Sequence, residues 1–286
     1  MVLQTPPKPQ APIITWEELP EDFILPDDPV ENIQEPPLAA ALTDALGAAN
    51  RIQPQMLIAS NFGLVATINQ KTVVKAPDWL YVPRVLPVPE GVIRRSYTPN
   101  RGGDSVAIVM EFLSETDTGE YSVRPTSPYG KLYFYERILA VPIYAIFDPY
   151  QPRLEVRLLQ EGQYVLQESS GEGRYWIPEL ELFLGIWFGE RLGSSSYWLR
   201  WWDEAGNLLL WSAEQAEQER LRAEQERLRA EQERLRAEQE SLRAEQQRQE
   251  TDVAKAELEA QRQRNELLVA KLRSLGINPD AIGDSE

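Results

Sequence analysis

Val106-Ala107-Ile108-Val109-Met110-Glu111-Phe112-Leu113 is an apolar run interrupted by a single carboxylate, and the rest of the chain organises around it. Its composition and length mark a strand at 105–113. Alternation places Ala107, Val109, Glu111 and Leu113 on one face. Glu111 then either sits at a strand end that reaches solvent or lies buried. In the buried case it needs a cation, a hydrogen-bond donor or a raised pKa, because an unpaired buried charge costs several kcal/mol.

Upstream, strand patterns fall at 64–68 and 71–82, and Leu38 to Ala49 reads as a helix opened by Pro36 and Pro37. Downstream, Lys131-Leu132-Tyr133-Phe134-Tyr135-Glu136-Arg137 lies in a helix predicted at about 129–140. Ile143–Phe147 then reads as a buried strand stopped by Asp148-Pro149. Further strands at 154–159, 163–168, 181–188 and 197–202 are expected to close the sheet at an aromatic-rich end. Six of the eight tryptophans lie between Trp176 and Trp211, which suits core and edge packing. A stacking platform for nucleic acid is the alternative.

Three polar residues among these elements form a candidate site. Each has an ordinary reading by itself. Asp78 belongs to a Pro-Asp turn dipeptide. Lys131 is a solvated lysine near a helix start, where the helix dipole disfavours a cation. Glu111 is a strand-end glutamate. Taken together, two carboxylates and one lysine are the components of a Mg²⁺-dependent phosphodiester-cleaving site.

Composition narrows the chemistry. The 286 residues contain no cysteine and no histidine. This excludes disulfides, thiol nucleophiles, Ser-His triads and His- or Cys-ligated metals, and it leaves hard ions such as Mg²⁺ held by oxygen. No basic leader with an apolar core and no apolar stretch of membrane-spanning length is present, so a cytoplasmic protein without a membrane partner is expected. The net charge is −16. From Ser212 onward, 18 acidic against 13 basic residues leave −5, and residues 1–211, with 27 against 16, carry −11. An acidic globular part opposes tight non-specific nucleic-acid binding, unless a divalent cation and a local basic patch offset it.

Residues 1–38 are Pro-rich and acidic and read as an extended N-terminal arm. Residues 39–211 carry the strand and helix patterns of an α/β domain. Residues 212–275 form a heptad-repeat helical tail, and 276–286 form the C-terminal end. In the tail, Ala-Glu-Gln-Glu-Arg-Leu-Arg recurs every seven residues, with Leu221, Leu228, Leu235 and Leu242 in register. With leucine at d, the a positions are Gln218, Gln225, Gln232 and Gln239, so the seam is half polar. Pairs such as Arg222–Glu226 each contribute roughly 0.2–0.5 kcal/mol, which makes the tail close to a self-supporting charged helix. The repeat is only weakly a coiled coil, and Leu268, Leu272 and Leu275, a short apolar stripe before Gly276, are the better candidate for a contact, so the expectation for the tail is a homodimer or a helical partner.

The order Pro-Asp, strand with Glu, then Lys resembles the PD-(D/E)XK nuclease superfamily, and the chain as a whole resembles its Uma-two restriction-endonuclease family. The stretches that carry this likeness are Pro77–Val82, Met110–Ser114, Gly119–Ser122, Lys131–Tyr135, Val141–Pro149, Trp176–Leu180, Trp198–Asn207 and Leu275–Asp280. The resemblance implies a restriction-endonuclease-like α/β core with a mixed central sheet flanked by helices, followed by the long charged helix. It also implies that Asp78, Glu111 and the Phe112 backbone carbonyl bind Mg²⁺ (or Mn²⁺), that Lys131 orients or deprotonates water, that Glu120 supports it, and that DNA is the substrate.

The chain departs from the superfamily pattern in three places. Leu113 stands where the superfamily places its lysine. The 124–128 stretch lengthens the loop before Lys131. Only Glu31 and Glu35 are available as the acidic residue of the first helix. The expected function is a Mg²⁺-dependent DNA endonuclease; the alternative is a catalytically weak or inactive nuclease fold acting as a binding module through its helical tail.

Overall fold

The computed structural model describes residues 33–68, 71–114 and 119–276. The arm through residue 32, with Glu31, and the chain from 277 lie outside the described residues. The chain divides after Gln215 into two compact units.

The first unit is built on a six-stranded mixed sheet in the order β1-β4-β6-β7-β8-β9. These strands are β1 (Leu57–Ala59), β4 (Trp79–Val82), β6 (Ile108–Phe112), β7 (Ile143–Asp148), β8 (Arg153–Gln160) and β9 (Gln163–Leu166). Only β6 and β7 run parallel, and every other neighbour is antiparallel. Parallel neighbours cannot be joined by a hairpin, so the chain must cross over one face between them. That crossover holds a 3₁₀ turn (Gly119–Tyr121) and α2 (Lys131–Tyr133), which runs on into a π-helical turn (Phe134–Ile138). Helix α1 (Glu35–Ala48) covers the other face. It starts with Pro36 and Pro37 and buries Leu38, Ala41, Leu42, Ala45 and Leu46 at helical spacing.

The faces of β6 separate cleanly. Ile108, Met110 and Phe112 join the cluster under α1, while Val109 and Leu113 join the one under α2. Ala107, expected on the Glu111 face, packs with the α1 cluster instead, because regular pairing starts at Ile108.

The expected strand at 71–82 is two strands in different sheets. β3 (Lys71–Lys75) pairs with β2 (Gly63–Ile68), which also pairs with β5 (Ser96–Tyr97), whereas β4 belongs to the main sheet. Pro77 has no N–H to donate and divides them. The tryptophan-rich end does not close the main sheet either. β10 (Tyr175–Ile177), β11 (Leu182–Arg191) and β12 (Ser194–Trp202) form a separate antiparallel sheet. This sheet is fastened to α1 by the indoles, with Trp201 donating to the Leu42 carbonyl at 3.2 Å and Trp211 to that of Ala41 at 3.1 Å. Trp198, Trp201, Trp202 and Trp211 are buried, so these rings serve packing and form no open stacking platform.

Helix α3 (Ser212–Ser274) begins within the first unit. Asp44 of α1 accepts hydrogen bonds from the Ser212 hydroxyl at 2.6 Å and from its N–H at 3.3 Å, a cap supplied by another helix. Glu214 reaches back to the Trp211 N–H at 2.8 Å, as in a capping box. It also receives the guanidinium of fully buried Arg200 at 2.7 Å, and that guanidinium stacks 3.4 Å over the Trp211 ring. Beyond this turn none of the described α3 residues is buried. No helix among the described residues is long and apolar enough to cross a membrane.

Candidate active site

β4 and β6 pair antiparallel with Trp79 opposite Met110, a register that sets Asp78 opposite Glu111 on the same face of the sheet. The face they share is the one the crossover covers. Asp78 lies just before β4 begins, where its carboxylate takes the N–H of Phe112 that a longer β4 would have bonded. The N–H and carbonyl of a strand residue point to the same side. Leu113 bonds its N–H to Phe147 on the β7 side, so Phe112 turns both its backbone groups toward Asp78.

Glu111 is fully buried. Tyr135, on the π-helical turn, donates its hydroxyl to Oε1 at 2.8 Å, and Lys131 Nζ lies 3.2 Å from Oε2. The same ammonium lies 2.7 Å from Glu120 Oε1. Tyr144 of β7 holds the turn carrying Glu120 by donating to its backbone carbonyl at 2.9 Å. The start of α2 is fixed against that turn, with the Tyr133 N–H on the Ser122 carbonyl at 3.3 Å. Gly130 is required here, since a Cβ at that position would fall 2.0 Å from the Ser122 oxygen. The lengthened loop closes on itself through the Gly130 N–H and the Arg124 carbonyl at 3.0 Å, so it leaves Lys131 in reach of both glutamates.

The electrostatics follow from burial. Burial pushes Glu111 up to about 8; Asp78 and Glu120 add to this, while Lys131 and the Tyr135 hydroxyl oppose it. Burial likewise raises Asp78 to about 6, helped by the charge of Glu120 and opposed by the Phe112 N–H, Lys131 and Glu111. For Lys131, burial works against the charge, but Glu111, Glu120 and Asp78 more than offset it, and the ammonium is held protonated. Burial and Glu111 push the Tyr135 hydroxyl well up, which keeps it a donor.

Three carboxylates therefore face one strongly held ammonium. Such a cluster retains excess negative charge, which a proton or a divalent cation would balance. Among the described residues no group of three or more acidic side chains is arranged to hold an ion. The donor set that fits is Asp78, Glu111 and a backbone carbonyl, all hard oxygens suited to Mg²⁺.

Sequence reasoning missed two participants. Tyr135 reads as one more apolar residue of a helix, and only the π-turn aims its hydroxyl at Glu111. Lys75, at the end of β3, feels both Lys131 and Glu111 and is depressed by burial and by the neighbouring ammonium. Its place depends on how a second sheet meets the first, which no local pattern reveals. Leu113 is buried in the α2-side cluster, so the position where the superfamily carries its lysine is a core position here. Glu35 opens α1, beside Gln34, which bonds Ser196 of β12 at 2.9 Å, whereas the cluster draws on β4, β6 and the crossover.

A mixed sheet whose parallel central pair is spanned by a crossover, with a carboxylate pair and a lysine on the covered face, is a restriction-endonuclease-like α/β core. A family model described as "Uma2: Putative restriction endonuclease" matches residues 16–200, and the chain belongs to that family. No curated protein gave a significant match.

Proposed function

We propose that this protein is a Mg²⁺-dependent DNA endonuclease that hydrolyses phosphodiester bonds by attack of an activated water. The observation that carries this reading is the buried Glu111, bonded to Lys131 and Tyr135 and set opposite Asp78. A stability-driven fold gains nothing from three carboxylates crowded around one ammonium. Breaking such a group is costly, and apolar replacement is often neutral or better.

In this reading Asp78, Glu111 and the Phe112 carbonyl hold the ion, with Mn²⁺ as a substitute. The bound ion would supply charge neutralisation at the scissile phosphate and a lowered pKa for its water. Lys131 carries a raised pKa, so it orients and stabilises the nucleophile as a cation and does not act as a base at neutral pH. Glu120 fixes the ammonium, and Tyr135 fixes the Glu111 carboxylate. Lys75 adds a second positive charge near the cluster, a local offset to the acidic surface where phosphate must approach.

The −11 charge of residues 1–211 favours a second reading, an inactive nuclease fold that binds partners through its tail. Plasmid cleavage separates the two readings. Nicking or linearisation that needs Mg²⁺ or Mn²⁺ and is lost in Glu111→Gln supports the nuclease. Intact plasmid with wild-type protein across both metals, at low salt, supports the binding module.

A further inference from the structure

Leu221, Leu228, Leu235 and Leu242 form a stripe on α3 that is between 47% and 56% exposed. The residues beside that stripe are not arbitrary. With leucine at d, every g position from 217 to 238 is glutamate (Glu217, Glu224, Glu231, Glu238). Every e position from 222 to 243 is arginine (Arg222, Arg229, Arg236, Arg243).

We propose that residues 217–243 of α3 pair with the same residues of a second copy as a parallel, in-register two-stranded coil. In a parallel pair each g residue meets the e residue of the next heptad across the seam. Glu217 then faces the partner's Arg222, Glu224 the partner's Arg229, Glu231 the partner's Arg236, and Glu238 the partner's Arg243. An antiparallel pair would set glutamate against glutamate and arginine against arginine along the whole repeat.

The a positions select the same arrangement. In register, each glutamine meets a glutamine, and an amide offers both donors and an acceptor to its twin. Antiparallel packing would bury each amide against a leucine, at the cost of an unsatisfied polar group. The half-polar seam thus lowers affinity while fixing orientation, the established effect of a polar a position. The complementary zone also has a defined end. Glu245 would meet the partner's Glu250, and Gln249 stands at the next d position. Within one helix the arginines make exposed pairs such as Arg222–Glu226 at 3.3 Å, which are weak enough to exchange for contacts across the seam.

The absence of cysteine makes the test clean. Sedimentation of the full-length chain in about 0.1 M salt should show a monomer–dimer equilibrium. It should weaken toward about 1 M, where the screening length drops from roughly 10 Å to 3 Å. Changing Glu224, Glu231 and Glu238 to Arg should weaken dimerisation at least about tenfold. Changing Arg229, Arg236 and Arg243 to Glu in the same chain should restore it. Gln239→Cys should form a disulfide-linked dimer in a glutathione buffer well before Ala237→Cys, which lies on the outer face. A monomer at every concentration, a charge swap without effect, or equal crosslinking of the two cysteines would overturn the proposal. Antiparallel pairing or a different partner chain would leave Gln239→Cys uncrosslinked and overturn it equally. None of these readouts depends on cleavage.

Discussion

The crossover and α3 use the same chemistry, glutamate opposite lysine or arginine, to opposite ends. At the crossover Lys131 sits between Glu111 and Glu120, whose side chains are 0% and 3% exposed. On α3 the Arg222–Glu226 pair is 81% and 67% exposed. In the first setting the two carboxylates are shut off from water, the ammonium is only 25% exposed, and each charge depends on its partners. In the second, water solvates both ends and the pair is nearly optional. Arg200–Glu214 lies between these extremes, with a buried guanidinium and a half-solvated carboxylate. An ion pair is therefore informative about function in proportion to its burial, and residue type alone does not rank the pairs.

The comparison would fail first at Lys131. Lys131→Met should cost about 3–5 kcal/mol in denaturant unfolding at pH 8, because it strands buried carboxylates. It should also slow cleavage by about 10²–10⁴-fold. A cost below about 1 kcal/mol would mean the cluster is solvated and the contrast with α3 is false. Arg200→Met comes next, at about 3 kcal/mol, since it removes the stack on Trp211 and the anchor for Glu214. Proteolysis should then cut near Ser212 sooner than in wild type.

A smaller effect is expected from pH. Glu111 has a folded pKa raised to about 8 from an ordinary value of 4.5, so the folded state holds more protons than the unfolded one between those values. Stability of the metal-free protein should therefore fall as pH rises from about 5 to 8, read as a melting temperature that drops steadily across that window. Adding metal should flatten that slope, and a rise across the window would contradict it. The smallest effect belongs to α3. Arg222→Ala should change the helicity or stability of a monomeric tail by no more than about 0.5 kcal/mol. A larger change measured in dilute, monomeric protein would show that this pair is not solvated.

How much was legible in the sequence follows the same contrast. Glu111 in β6 and Lys131 at the head of a helix were legible, because strand alternation and helix starts are local patterns. The tail was legible as a helix because its repeat is periodic over many turns. The split of 71–82 was missed, since Lys75 and Trp79 belong to different sheets and alternation alone carries no sheet assignment. The separate tryptophan sheet was missed for the same reason. What seats it is a set of indole bonds to α1, far away in the chain. Tyr135 was hidden because a π-turn changes which residues share a face.

The central claim is that Asp78 and Glu111 crowd together, at a cost, in order to hold a divalent ion. Calorimetric titration of Mn²⁺ into wild type and Glu111→Gln at pH 6 and pH 8 tests it most directly. We expect one site per chain in wild type, tighter at pH 8 because the ion must displace protons from Asp78 and Glu111. Glu111→Gln, folded by circular dichroism, should give no binding heat at either pH. Binding by Glu111→Gln as tight as by wild type, or wild-type affinity that does not change with pH, would contradict the claim and leave Glu111 a structural residue.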